Sequence, residues 1–394
     1  MLTAASTPAT ALGSLEELTA SRNAWIEVDI EALEHNVEAM RGVVGPGVDL
    51  IAVVKANAYG AGAEVVGPAL EAAGVERFAV VWPSEALGLR AAGVTRPILV
   101  LGHAFAADAP AAVAAGITLT CHSPELGRAI SEAATAQGVT ATVHVKVDTG
   151  LHRFGVNLDE GVALAEALRA MPGIDVEGLT THMANADEAD DSFSELQHER
   201  FALVAERLPW IRYRHTANSA TALRRGELWY DGVRLGLALH GVQPANTPEA
   251  NLRPILSVRA RVARVSEVPP GDGVSYGLRW HAEKPSRVAL VPVGYGDGWR
   301  RTLGNQGEVL IGGRRCAMVG TLCMDQFVAD VTALRDVAEG DEVTLLGRQG
   351  EEEVGADELA RLAGTIPWDV FASLQSRLPR IYHRRGRVSA ILER

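Results

Sequence analysis

Lysine is nearly absent from this 394-residue chain: Lys55, Lys146 and Lys284 stand among 37 basic residues, and the rest are arginine. A compositional bias toward arginine accounts for the scarcity, and under such a bias a lysine kept in an apolar context is one whose amine is needed. Cysteine is equally sparse. Cys121, Cys316 and Cys323 make neither an even disulfide set nor a paired metal-binding pattern, so the expected setting is reducing and cytoplasmic, with no metal. Basic charge is in the minority. A formal net charge of -12 gives no overall field for phosphate backbones or anionic lipid, which speaks against nucleic acid and membrane as partners. No apolar run approaches the ~18 residues of a membrane span. Residues 1–22 lack the basic start and long apolar stretch of a signal peptide and are expected to be a poorly ordered lead-in.

What remains is ordinary globular sequence, 47% hydrophobic with 40 glycines, and too long for one small core. Short apolar runs at 50–54, 77–81, 97–101, 117–121, 142–147, 176–181, 211–216 and 230–235 alternate with amphipathic stretches such as 63–73, 124–137, 159–170 and 192–208. Eight such units in about 200 residues predict an α/β fold, a (β/α)8 TIM barrel over 23–244, with an open doubly wound sheet as the alternative. After Gln243 the texture changes to alternating segments punctuated by PPGDG and GG turns, which predicts a mostly-β C-terminal domain over 245–394. The alternating stretch 25–30 could pair with that domain rather than with the barrel.

In a barrel, chemistry sits where strands end. Those positions carry Lys55, Lys146 with Arg153 beyond it, His182, His215 with Asn218 and Ser219, and Arg234 with Gly236. Cationic and hydrogen-bonding groups are therefore expected to converge on one face. An amine placed directly after a buried strand, as Lys55 is, either finds an ionic partner or loses proton affinity. The second case suits Schiff-base chemistry with a carbonyl cofactor; the first is a structural strand-end lysine.

Nine segments carry a resemblance: VVKANAYGAG at 53–62, KVDTGLHRFG at 146–155, THMANADE at 181–188, HTANSA at 215–220, VRLGLALHG at 233–241, VSYG at 274–277, GYGDGWRR at 294–301, GTLCMDQ at 320–326 and RLPRIY at 377–382. In this order, from about residue 24 to the C-terminus, they resemble the alanine racemase family. The resemblance implies a pyridoxal 5'-phosphate enzyme of barrel-plus-β-domain type that interconverts L- and D-alanine and supplies D-alanine for peptidoglycan. It implies a head-to-tail homodimer whose active sites are shared between subunits. Lys55 would bind the cofactor and act as one base, with Tyr276 of the partner subunit as the opposite base. His182 and Arg234 would tune that tyrosine, and Arg234 would face the pyridine nitrogen. Arg153 and the main chain of Met324 would hold the substrate carboxylate. Tyr59, Ser219, Gly236 and Leu237 would clamp the phosphate, and Asp187, Tyr295 and Arg301 would line a narrow entry. Lys146 matches a position that some members carbamylate; an unmodified lysine paired with an acid is the alternative.

The chain departs from the family pattern at Ala61, Thr321, Trp368 and Ser376, which touch the phosphate clamp and the corridor rather than the acid-base pair. Two neighbouring functions are weighed. A carrier of the cofactor without turnover would end near residue 240 and need no second base, and a racemase of another small amino acid such as serine would keep the same machinery. The pattern Gly273-Val274-Ser275-Tyr276-Gly277 mimics a hydrolase nucleophile elbow, but no helical periodicity follows it, as an elbow requires.

Overall fold

The structure is a computed structural model and describes residues 14–393. Of the expected lead-in, residues 1–13 lie outside the described residues. Leu15–Thr19 is a short helix, started by a reciprocal cap in which Ser14 Oγ accepts from Glu17 N and Glu17 Oε2 accepts from Ser14 N. The chain then forms strand β1 (Ala24–Asp29) and divides into two compact units. One contains the residues up to Ala32, Tyr59–Gly62 and everything from Pro254 onward; the other contains Leu33–Ala58 and Ala63–Arg253.

The second unit is the barrel. Its strands are β2 (Asp49–Val53), β3 (Arg77–Val80), β4 (Ile98–Val100), β5 (Ile117–Cys121), β6 (Ala141–Lys146), β7 (Ile174–Thr180), β8 (Tyr213–His215) and β9 (Gly232–Leu235). Neighbours from β2 to β8 pair in parallel, and β9 pairs in parallel with β2. Asp231 N to Arg214 O and Arg234 N to Ala217 O, both 2.9 Å, bring β9 up to β8 and nearly close the ring. This consecutive order excludes the doubly wound alternative, which needs a reversal of strand order. All eight expected strands are present. The run expected at 211–216 shrinks to three residues because Ile211 N turns back onto Leu208 O. The intervening helices are set by local signals: Pro124–Gln137 starts on the Ser123 side chain and stops at Gly138, whose φ of 67° is the left-handed C-cap conformation.

Residues 245–253 stay with the barrel, because the fully buried Asn36 accepts from Arg253 N at 2.7 Å and donates to Arg253 O at 2.8 Å. The barrel therefore runs slightly past the expected end at 244.

The other unit is an eleven-stranded sheet. Besides β1 it contains β10 (Leu256–Arg261), β11 (Arg264–Val268), β12 (Ser286–Val291), β13 (Glu308–Ile311), β14 (Arg314–Val319), β15 (Phe327–Asp330), β16 (Glu342–Gln349), β17 (Glu352–Val354), β18 (Arg380–Arg384) and β19 (Arg387–Leu392). β1 lies antiparallel to β10 and parallel to β18, so the alternating stretch near the start of the chain does belong to the β unit. Trp25 anchors it: the indole is fully buried and donates to Glu27 Oε1 at 2.8 Å, while Arg259 Nε closes on the same carboxylate. Tyr59–Gly62 joins this unit through Tyr382 Oη donating to Ala61 O and Arg380 Nε donating to Gly60 O. Gly62 is required there, since a Cβ would sit 1.9 Å from Tyr382 Oη.

Removing the indole of Trp25 leaves a large cavity and takes from Glu27 Oε1 its indole donor. Trp25→Ala is expected to cost about 3–5 kcal/mol of stability, read as a lower denaturant midpoint for loss of the β-unit signal.

Candidate active site

Lys55 follows β2 by two residues, and the backbone beyond it adopts an uncommon conformation. Ala56, Asn57, Ala58 and Tyr59 have φ of 51°, 56°, 52° and 50°, a left-handed turn built without glycine. Each such residue costs about 1–2 kcal/mol, so the turn persists only because its polar groups are held. Ala56 N donates to Glu85 Oε1 at 2.6 Å, Ala58 N to Val54 O at 2.9 Å, and Ala63 N to Asn57 Oδ1 at 2.9 Å. The other oxygen of Glu85 accepts from Val81 N and Trp82 N, which fixes the carboxylate itself. The buried His240 ring lies between Ala58 O at 2.8 Å and Gly236 O at 3.0 Å, tying this turn to the one after β9. The Lys55 amine is pushed below its ordinary pKa, first by burial and then by the charge of Arg153, with Glu85 opposing.

Arg234, in β9, is the group around which the site is organised. Its guanidinium is buried, and its contacts are acceptors: Nη1 donates to Thr180 Oγ1, His215 Nδ1 and His215 O, and Nη2 donates to Thr181 O, His182 Nδ1 and Thr216 O, at 2.7–3.2 Å. Burial pushes its pKa down to about 10, so it stays charged at neutral pH. Because a guanidinium only donates, both imidazoles must present bare Nδ1 atoms and carry their proton on Nε2. Both are held far below the usual histidine range, first by burial and then by Arg234, and are neutral. Lys146, at the end of β6, is pushed down to about 7 by burial and by Arg234, Arg153 and Lys55, with Asp148 opposing. Among the described residues no carboxylate forms an ion pair with it. Its Nζ lies 5.2 Å from the Phe154 ring centroid.

The phosphate-type positions are also assembled. Ser219 Oγ accepts from Gly236 N at 3.2 Å and Ala238 N at 3.5 Å, at the start of the turn Leu237–His240. Asn218 caps the short helix Ser219–Arg224 by accepting from Thr221 N. His215 hydrogen-bonds to both Arg234 and His144. Arg153 is exposed in the same unit, and the half-buried Asp187 accepts from Asn246 through its main-chain oxygen.

Tyr276, Tyr295, Arg301 and Met324 belong to the β unit, and Tyr59, its phenol pushed well above the ordinary range by burial, groups with them. Tyr295 N and Gly296 N donate to Cys323 O and Met324 O, and Thr321 Oγ1 donates to Tyr276 O. These links form a second cluster in which Tyr276 is 74% and Met324 53% exposed, unusual for residues of this size. Arg301 is exposed at the start of the turn Arg301–Leu303. Ser275, the elbow mimic, donates to Thr321 O and is followed by the 3-10 turn Tyr276–Leu278 rather than by an α-helix. Thr321 thus supports Tyr276, while Ala61 offers only its carbonyl, to Tyr382; Trp368 lies in the helix Pro367–Ser373 and Ser376 is exposed.

Residues 28–244 match the profile of the alanine racemase N-terminal domain and residues 255–382 that of the alanine racemase C-terminal domain. The chain belongs to the alanine racemase family. The alanine racemase of Carboxydothermus hydrogenoformans is 40% identical over 368 residues, covering 92% of this chain and all of the relative. That of Halothermothrix orenii is 37% identical, covering 93% of this chain and 98% of the relative. Among solved structures, alanine racemase from Bacillus anthracis with bound L-Ala-P has a TM-score of 0.88 at 35% identity, covering 94% of this chain and 98% of that one. The Streptomyces coelicolor enzyme gives 0.87 at 35% identity, covering 93% and 99%. The family is one of amino-acid racemases that generally depend on pyridoxal phosphate.

Three lysines make the electrostatics directly readable. In protein labelled with 13C-lysine, the Cε signal of Lys146 is expected to titrate with a midpoint of about 7, charged below it and neutral above, in a pH series followed by NMR.

Proposed function

We propose that this chain interconverts L- and D-alanine with pyridoxal phosphate held at the mouth of the barrel unit. The observation that carries the reading is the buried Arg234 guanidinium, set among acceptors with no carboxylate paired to it among the described residues, in the same unit as Lys55, an amine of lowered proton affinity. This donor set fits the cofactor: an amine for an aldehyde, a fixed cation for an unprotonated ring nitrogen, and Ser219 with the Gly236–Leu237 main chain for a phosphate. When bound, pyridoxal phosphate supplies an aldehyde that condenses with amines and a conjugated ring that takes up the electron pair left at Cα.

The residues of the chain do the rest. Lys55 Nζ holds the cofactor and carries the proton on one face of the substrate Cα. Tyr276 Oη of the partner subunit carries it on the opposite face, which is the geometry racemisation demands. With its Nδ1 engaged by Arg234, His182 has only Nε2–H to offer, a donor suited to steadying a phenolate. Arg234 does not yield its proton, so the ring remains a modest electron sink and the proton returns to Cα rather than elsewhere. Arg153 and the Met324 main chain of the partner subunit orient the substrate carboxylate, with Asp187, Tyr295 and Arg301 lining the approach. The lowered proton affinity of Lys146 favours its carbamylation, since the neutral amine is the form that reacts with CO2. The strong exposure of Tyr276 and Met324 supports a head-to-tail homodimer, and the sparse, unpaired cysteines support a cytoplasmic setting, where D-alanine would feed peptidoglycan synthesis.

Incubation of the pyridoxal-phosphate-loaded protein with L-alanine in D2O is expected to give D-alanine labelled at Cα. Tyr276→Phe should lower kcat by about 10²–10⁴-fold. Unlabelled, unchanged L-alanine from the wild-type protein would overturn the reading. Sharing of sites is tested separately by mixing two inactive variants, Lys55→Ala and Tyr276→Phe, under exchanging conditions. Each mixed dimer regains one intact site, so about a quarter of wild-type activity is expected, whereas sites built from single chains would regain none.

A further inference from the structure

Behind Arg234 a series of polar and ionisable side chains continues into the barrel unit. His215, which accepts from Arg234 at Nδ1, meets His144 Nδ1 through its Nε2 at 3.0 Å. His144 Nε2 in turn meets Glu177 Oε2 at 3.0 Å. Both oxygens of Glu177 accept from Arg77, Nη1 at 3.0 Å and Nη2 at 3.1 Å, and Arg77 Nε donates to Asp49 Oδ2 at 3.0 Å. Arg77 and Asp49 are the first residues of β3 and β2, so the series runs from the catalytic end of the strands to their opposite end.

His215 Nδ1 lies 3.2 Å from Thr180 Oγ1 and closer, 2.8 Å, to Arg234 Nη1, and the nearer guanidinium sets the donor and acceptor roles along the series. Arg234 only donates, so His215 Nδ1 is bare and Nε2 is protonated. That proton is given to His144 Nδ1, which must also be bare, and His144 then donates from Nε2 to Glu177. The carboxylate only accepts, and Arg77 only donates. An imidazole oriented by a carboxylate is a known way of fixing a tautomer; here two imidazoles are fixed in series.

The backbone is shaped to allow this. The β6–β7 register slips between Val143 and His144, so that Val143 pairs with Val176 but His144 pairs with Gly178, and Glu177 is the extra residue of a bulge. Bulges re-aim side chains, and this one places a carboxylate within reach of His144. Gly178 gives the imidazole its space, since a Cβ would lie 2.5 Å from His144 Cγ and Nδ1. Arg77 is further held over the Tyr213 ring, 3.9 Å from its centroid.

We propose that His144, Glu177 and Arg77 are positioning residues for the reaction, a hydrogen-bonded column that locks His215 in the Nε2–H tautomer and so holds the Arg234 guanidinium in its catalytic place from the far end of the barrel. The functional part rests on the racemase reading; the tautomer part does not.

The first test needs no variant and no cofactor. In 15N-histidine-labelled wild-type protein, long-range 1H–15N correlation spectra are expected to show His215 and His144 neutral with the proton on Nε2. A proton on Nδ1 of either residue would overturn the proposal. Glu177→Gln is expected to populate a second tautomer of His144 and His215 and to lower kcat about ten-fold while KM changes less than two-fold. Gly178→Ala, which removes no polar group but displaces the His144 ring, should give the same spectral change. In the loaded enzyme, both variants should shift the absorption of the bound cofactor, because Arg234 moves. Wild-type tautomers together with wild-type kcat in a folded Glu177→Gln protein would sink the idea. Were the wild-type protein to lack racemase activity, the tautomer spectra would still decide the column independently.

Discussion

A guanidinium that has been taken out of water without a carboxylate to meet it is the constraint on which the barrel unit depends. Stripping a cation of solvent costs several kcal/mol even after the protein relaxes. Arg234 offsets that cost with three main-chain carbonyls, a threonine hydroxyl and two imidazole nitrogens. None of these cancels the charge. The positive field therefore persists in a low-dielectric setting, and it is the second-ranked cause, after burial, of the lowered proton affinity of His182, His215 and Lys146. A carboxylate in the same place would have neutralised the field, raised those pKa values and stabilised the protonated form of a pyridine nitrogen.

Strain complements this electrostatic arrangement. The four left-handed residues after Lys55 are costly individually, and a relaxed helix or strand would carry the amine in another direction. Glu85 and Asn57 hold the turn through hydrogen bonds to main-chain N–H groups, so the backbone from which the Lys55 side chain departs is fixed. Packing of Tyr59–Gly62 with the β unit, through Tyr382 and Arg380, anchors the far side of the same turn.

These features differ in how plainly the sequence records them. The eight barrel strands were legible because parallel strands buried on both faces are short apolar runs, and polar residues gather at the ends of several of them, as at Lys55, His182 and Arg234. The β1 stretch was legible as alternation. His182 and Arg234 were readable as strand-end polar residues. His144, Glu177 and Arg77 were not, since a charge inside or at the start of an apolar run looks like a surface position, and nothing local announces a bulge. Glycine immediately after Glu177 was the one available sign, and glycine within a strand has several causes. The left-handed turn was hidden for the opposite reason: Lys-Ala-Asn-Ala-Tyr contains good helix formers and no glycine, and its conformation is imposed by Glu85, thirty residues away.

The cations of this site explain why an anion belongs there. Arg153 lowers the proton affinity of Lys55, and Arg234, Arg153 and Lys55 lower that of Lys146, which states in other terms that positive charges repel at short range. Asp148, whose Oδ1 accepts from Gly150 N and His152 N, opposes this at Lys146. A ligand bearing a phosphate and a carboxylate relieves the repulsion directly, and any ligand that binds the folded state alone stabilises it. Lys146 has a further route. Buried, 8% exposed and lowered by Arg234 and Arg153, it can shed its proton near neutrality, which removes one of the crowded charges. The lowered proton affinity of Lys146 thus follows from its own burial and from the uncancelled charge of Arg234.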